Sequence, residues 1–144
     1  MSYLLKIVGA TILAALIFLA AGLRADDEAA KQEKTSTVSS DLVGTWKLVG
    51  AWNVSDPQMN RRLKFFTGKH WNITQANKDG TVLFHHGGTY TIDGDVLSST
   101  VEYANKNTSN MIGKTNKFKI NVDGDMYTQV GVGNRFHEIW KRAD

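Results

Sequence analysis

The chain is predicted to be all-β, an antiparallel up-and-down meander closed into a small barrel of about eight strands. Three observations predict it. Between Leu42 and Arg142 the sequence runs as short segments of alternating apolar and polar residues, rich in β-branched and aromatic side chains. Three connections, Lys78-Asp79-Gly80, Asp93-Gly94-Asp95 and Asp123-Gly124-Asp125, carry the glycine that a tight hairpin needs for positive φ. After residue 41 no amphipathic helical period survives to supply a crossover, which argues against a parallel sheet. An antiparallel sheet closed on itself has an inside, and about eight strands either fill it with side chains or hold one small ligand there.

The front of the chain is expected to be a targeting segment. Met1 to Lys6 carries one lysine, and the 17 residues from Ile7 to Leu23 carry no charge. Ala25 then precedes the acidic run Asp26-Asp27-Glu28, which suits a signal-peptidase site and makes residues 1–25 a signal peptide. An N-terminal membrane anchor is the alternative, since that run sits at the lower limit for spanning a bilayer. Either way the folded part is expected to be exported, periplasmic or secreted. Residues 26–40 are polar and poor in aromatics and read as a linker. Residues 41–144 are left for the barrel.

The chain has no cysteine, so the domain must be held by burial alone. Setting aside Lys6 and Arg24 leaves 15 basic residues against 14 acidic ones, a net charge of +1 with the two signs interspersed. That balance gives no footprint for a nucleic-acid partner.

The candidate strands, in order, are Gly44–Asn53, Arg61–Thr67, His70–Asn77, Thr81–His86, Thr89–Ile92, Val96–Tyr103, Lys114–Val122 and Met126–Val132. Phe136–Lys141 is a ninth that can replace one short early segment. Gly87-Gly88 reads as a hairpin or bulge between two of them. The connection around Pro57 and the polar run Asn105–Asn110 are placed as loops at the barrel mouth.

With these segments in place, Gly44-x-Trp46 on the first strand and Arg142 after Trp140 resemble the calycin superfamily. The stretches Leu42-Val43-Gly44-Thr45-Trp46-Lys47-Leu48, Gly88-Thr89-Tyr90-Thr91-Ile92 and Glu138-Ile139-Trp140-Lys141-Arg142 resemble, more closely, the short bacterial lipocalin-like domains. The resemblance implies that Trp46 closes one end of the barrel and that the Arg142 side chain stacks over it. A guanidinium on an indole face seals the end while its charge stays solvated. The chain lacks the Thr-Asp-Tyr motif of full lipocalins, so no ligand class is carried over.

Alternation along the strands then nominates residues for the interior. Trp46, Leu48, Gly50 and Trp52 share one face of the first strand, and Phe136, Glu138, Trp140 and Arg142 share one face of the last. The aromatic candidates for the cavity are Trp52, Phe65, Trp71, Phe84, Tyr90 and Phe118, with the competing reading that these rings merely fill a small core. Glu138 and Glu102 are the candidate polar groups, since an inward carboxylate requires a cation, a hydroxyl or a ligand amine.

His85 and His86 are adjacent and so point to opposite faces of a strand; no metal site is expected, and no cofactor. A trio such as His70, His85 and Glu138 is of the residue types a three-ligand metal site takes, but nothing in the spacing demands it. No cysteine nucleophile, Gly-x-Ser-x-Gly elbow or phosphate loop is present, so no catalytic residues are nominated and no enzyme is expected. The expected function is an exported protein that binds a small apolar or amphipathic molecule in the barrel. The alternative is a filled-barrel structural or protein-interaction module of the cell envelope.

Overall fold

A computed structural model of the chain describes residues 26–33, 35, 38–52 and 61–143. The signal-peptide reading of residues 1–25, the loop around Pro57 and part of the linker lie outside the described residues. Residues 26–33 are helical and exposed. Among the described residues, no helix is long and apolar enough to cross a membrane.

From residue 35 onward the chain forms a second compact unit, and it is the barrel. Its strands are β1 Gly44–Ala51, β2 Arg62–Phe66, β3 His70–Ala76, β4 Val82–Asp93, β5 Val96–Thr100, β6 Tyr103–Ala104, β7 Thr115–Asp123, β8 Met126–Val132 and β9 His137–Arg142. Pairing runs β3-β2-β1-β9-β8-β7-β5-β4, and β3 pairs with β4 to close the ring; β6 is an extra two-residue strand on β4. All pairs are antiparallel, as expected for a meander. A 3₁₀ helix, Lys106–Met111, follows β6.

The β3–β4 and β7–β8 connections are made by the turns the sequence marks. At the first, Asp79 accepts from the Thr81 backbone N–H at 3.0 Å and from the Thr81 hydroxyl at 2.6 Å. Those two donations hold the Asp79 carboxyl below its ordinary pKa.

Two element boundaries differ from expectation. Thr81–His86 and Thr89–Ile92 are not two strands but the single twelve-residue β4, and Gly87-Gly88 is not a turn. Both glycines allow close approach of neighbouring chain. A Cβ at Gly87 would lie 2.5 Å from the Trp71 carbonyl oxygen, and one at Gly88 would lie 2.2 Å from that of Thr100. Likewise Val96–Tyr103 is not continuous. β5 ends at Thr100, the chain kinks at Val101 and Glu102, and β6 resumes lower along β4, pairing Tyr103 with Gly87 and Ala104 with His86.

One half of the interior is filled. Trp46 packs on Tyr127 with centroids 5.5 Å apart, and Phe66 sets its edge to both Tyr127 and Tyr90. Leu48, Leu97 and Trp140 complete this layer, all essentially inaccessible. Residues 38–42 are helical, with Leu42 in the core and Val38 packed against it. Trp46 donates its indole N–H to the Leu42 carbonyl at 2.8 Å. Over the outer face of Trp46 lies the Arg142 guanidinium, 4.3 Å from the ring centroid, donating to the carbonyls of Val43 and Asp41 at 3.1 and 2.8 Å. The Trp46–Arg142 closure is thus present as the resemblance implies.

Candidate functional site

The other half of the barrel holds a cavity of about 260 Å³. Strand parity decides what faces it. β2 turns Arg62, Lys64 and Phe66 inward; β3 opposes them with Gln75, Ile73 and Trp71 in register. β4 adds Phe84 and His86, β5 adds Ser99, β7 adds Asn116 and Phe118, β8 adds Gln129 and β9 adds Glu138. The 3₁₀ helix covers the β4 side with Thr108 and Met111, and Phe136 stands at the rim, half exposed. That helix is tied to the β4 edge by side chains: the Asn107 amide donates to the Leu83 carbonyl at 2.6 Å and the Thr108 hydroxyl to that of His85 at 3.1 Å.

Most of the wall is apolar, but one side is an ionic cluster buried deeply enough that each member needs partners. Lys64 is 5% exposed and Glu138 8%. The Lys64 ammonium donates to Gln129 Oε1 at 2.7 Å and to Glu138 Oε2 at 3.3 Å, and sits 4.2 Å from the centroid of the Trp140 ring. Gln129 Nε2 donates to Glu138 Oε2 at 2.7 Å, and the Tyr127 hydroxyl donates to Gln129 Oε1. Arg62 donates to Gln75 Oε1 at 2.7 Å, lies 3.8 Å from the other Glu138 oxygen, and stacks 5.0 Å from the Phe84 ring centroid. Gln129 Oε1, Gln75 Oε1 and Glu138 Oε2 each accept a hydrogen bond, and Glu138 Oε1 faces Arg62 as an ion pair.

Burial shapes the protonation states. It pulls Lys64 down to about 8, against the opposing pull of the Glu138 charge and hydrogen bond, so the ammonium persists at neutral pH. Burial and, next, the nearby Lys64 charge push His86 down to about 4, leaving a neutral imidazole. Burial pushes the Tyr127 phenol well above its ordinary value, and the Glu138 charge adds to this, so the phenol remains a donor.

His86 stands apart within this wall. It is 7% exposed and packs edge-on to Trp71 and stacked on Phe84, yet its Nδ1 is buried with no hydrogen-bond partner.

Of the sequence candidates, Trp71, Phe84, Phe118 and Glu138 line the cavity. Four do not. Trp52 is 67% exposed on the outside of the barrel, stacked on His137. The cause is a bulge in β1. Leu48 pairs with Trp140, but Gly50 pairs with Ile139, so one residue is skipped and the faces exchange beyond it. Phe65 faces outward because Lys64 and Phe66 take the inner positions of β2. Tyr90 is buried but belongs to the filled half, against Phe66. Glu102 is exposed and accepts from the Thr89 hydroxyl, because Ser98 and Thr100 lie on the outer face of β5 and the chain leaves that strand before Glu102.

Among the wall residues that alternation missed are Arg62, Lys64, His86 and Gln129, together with Ser99 and Asn116. The trio His70, His85 and Glu138 is dispersed: His70 is exposed, His85 stacks on Tyr103, and Glu138 points inward. Among the described residues no group of three histidines or carboxylates stands ready to hold a metal ion.

No family model and no curated protein matches the chain. Solved structures do. A lipocalin-like protein from Bacteroides uniformis superposes with a TM-score of 0.58 at 18% identity, covering 72% of this chain and 99% of that one. An uncharacterized protein from Bacteroides eggerthii superposes at 0.56 and 14% identity, covering 71% and 99%. The fold is lipocalin-like.

Proposed function

We propose that the chain is an exported binding protein that holds a small apolar or amphipathic molecule in the barrel interior. The observation that carries this reading is the division of the interior. One half is packed with Trp46, Tyr127, Phe66 and Trp140, whereas the other keeps about 260 Å³ walled by Trp71, Phe84 and Phe118 with an ionic cluster on one side. A mostly apolar concavity with a few convergent polar groups is the usual form of a small-molecule site. The volume lies just under the common range and favours a small ligand. The lipocalin-like fold and the apolar front of the sequence support binding and export respectively. The reading assigns the protein no reaction.

The second reading, an interaction module of the envelope with no ligand, draws on Val49, Trp52 and Val130, which are exposed apolar residues on the outside of β1 and β8 or just beyond.

Native mass spectrometry of the mature chain, recovered gently from its own host, separates the two. The expected result is a reproducible extra mass, lost in a Ser99→Phe variant that fills the cavity and still unfolds cooperatively. A bare protein mass, with no uptake of apolar probes afterwards, would favour the interaction module.

A further inference from the structure

The chemistry of the cavity wall narrows the ligand. Glu138, the carboxylate of the wall, already receives Gln129 and Lys64 on one oxygen and faces Arg62 with the other. Gln129 Oε1 is taken by Lys64 and Tyr127, and Gln75 Oε1 by Arg62. A ligand ammonium entering this half would meet two cations, Arg62 and Lys64, beside a single carboxylate whose Oε2 already receives two donors. Donors are in the opposite position. Lys64 has three N–H groups and two oxygen acceptors, with the Trp140 ring 4.2 Å away, and His86, whose Nδ1 is buried with no hydrogen-bond partner, turns that nitrogen into a donor in one of its two neutral tautomers. A buried polar group of that kind is costly unless something engages it.

We propose, building on the binding reading above, that the cavity takes an amphiphile with a single carboxylate headgroup. The acid docks between Lys64 and His86, and the alkyl part lies against Phe84, Phe118 and Ile73. A carboxylate accepts through both oxygens, so one group engages the ammonium and the imidazole together, with charge assistance in a site of low dielectric. The depressed value of Lys64 accords with this, since burial of its positive charge is the main cause and an anion beside the ammonium offsets that burial.

The test is calorimetric titration of the full chain at neutral pH with octanoate, octanol and octylammonium, which share one alkyl chain and differ in the headgroup. The expected result is binding of octanoate about tenfold or more tighter than either of the others. That preference is expected to disappear in Lys64→Met. Because this variant takes a donor from Glu138 and risks misfolding, Lys64→Met/Glu138→Gln is its companion, and the same loss of preference is expected there. Equal affinity for the three headgroups, or tightest binding of octylammonium, would overturn the carboxylate proposal while leaving the binding reading standing. Retention of the octanoate preference in both variants would overturn the placement of the acid group. No binding of any of the three to the wild-type chain would overturn both.

Discussion

Lys64 and Glu138 form the most consequential pair in the molecule, because each is buried and each makes the other tolerable. Removing one partner of such a pair leaves an uncompensated charge in the interior, which costs about 3–5 kcal/mol. Glu138→Leu is therefore expected to lose stability of that order in urea unfolding. Lys64→Met/Glu138→Leu, which removes both charges, is expected to recover most of it. His86 gives a second prediction, and its sign follows from linkage. The imidazole is pushed down to about 4 in the folded state from an ordinary 6.5, so between these values the unfolded chain binds the extra proton. The stability tied to the neutral ring is complete above pH 6.5 and is lost as pH falls through 4. Wild type is expected to lose on the order of 2–3 kcal/mol more than His86→Leu over that window. Equal acid sensitivity of the two proteins would contradict the assignment. At this scale the sequence was half legible. Glu138 could be placed inward because Phe136 and Trp140 share its parity. Its partner could not, because Arg62-Leu63-Lys64-Phe65-Phe66 offers two faces of similar appeal, and the one with fewer charges is the wrong choice. An inward carboxylate needing a cation is the clue that would have reversed it.

Elements were legible where turn chemistry or unbroken alternation marks them, as in β7 and β8 with their Asp-Gly hairpin. They were not legible where the local signal had two physical causes. Gly87-Gly88 looks like a turn, yet neither glycine has positive φ; both are small because β3 and the kinked β5–β6 segment press on β4. Gly88→Ala is accordingly expected to cost about 1–3 kcal/mol or more, since backbone must move to admit the methyl group. Gly113→Ala, where φ is +82° and a Cβ would meet nothing, is expected to cost about 1–2 kcal/mol from conformation alone. Thermal unfolding of the two variants orders them, and a milder effect at Gly88 would count against the close-approach account. The β1 bulge is the other silent feature. Nothing in Leu48-Val49-Gly50-Ala51-Trp52 announces a skipped residue, and one skip carries Trp52 from the expected interior to the surface.

At the scale of the whole molecule, the barrel is closed at one end by a small set of contacts between its first and last strands. Arg142→Ala removes the guanidinium from Trp46 and its hydrogen bonds to Val43 and Asp41. The exposed position of those bonds limits the expected loss to about 1–2 kcal/mol. Unfolding midpoints check it, and the cavity at the other half of the barrel is expected to retain its ligand affinity. That independence follows from the filled layer between them. The general architecture was legible because ring closure needs only strands, turns and parity. The extent of filling was not, because it depends on which rings point inward from strands whose parity one bulge can invert.

The interior half lined by Trp71, Phe84 and Phe118 is where we place the ligand. The four tryptophans report on it directly. Trp71 stands on the cavity wall, Trp140 lies under Lys64, Trp46 is at the closed end, and Trp52 is on the outer surface. The decisive measurement is the set of four indole N–H resonances of the labelled protein, followed during titration with octanoate and, separately, octanol. Saturable shifts of Trp71 and Trp140, with Trp46 and Trp52 unmoved, are the expected result. Shifts confined to Trp52, or no shift in any of the four with either ligand, would contradict it.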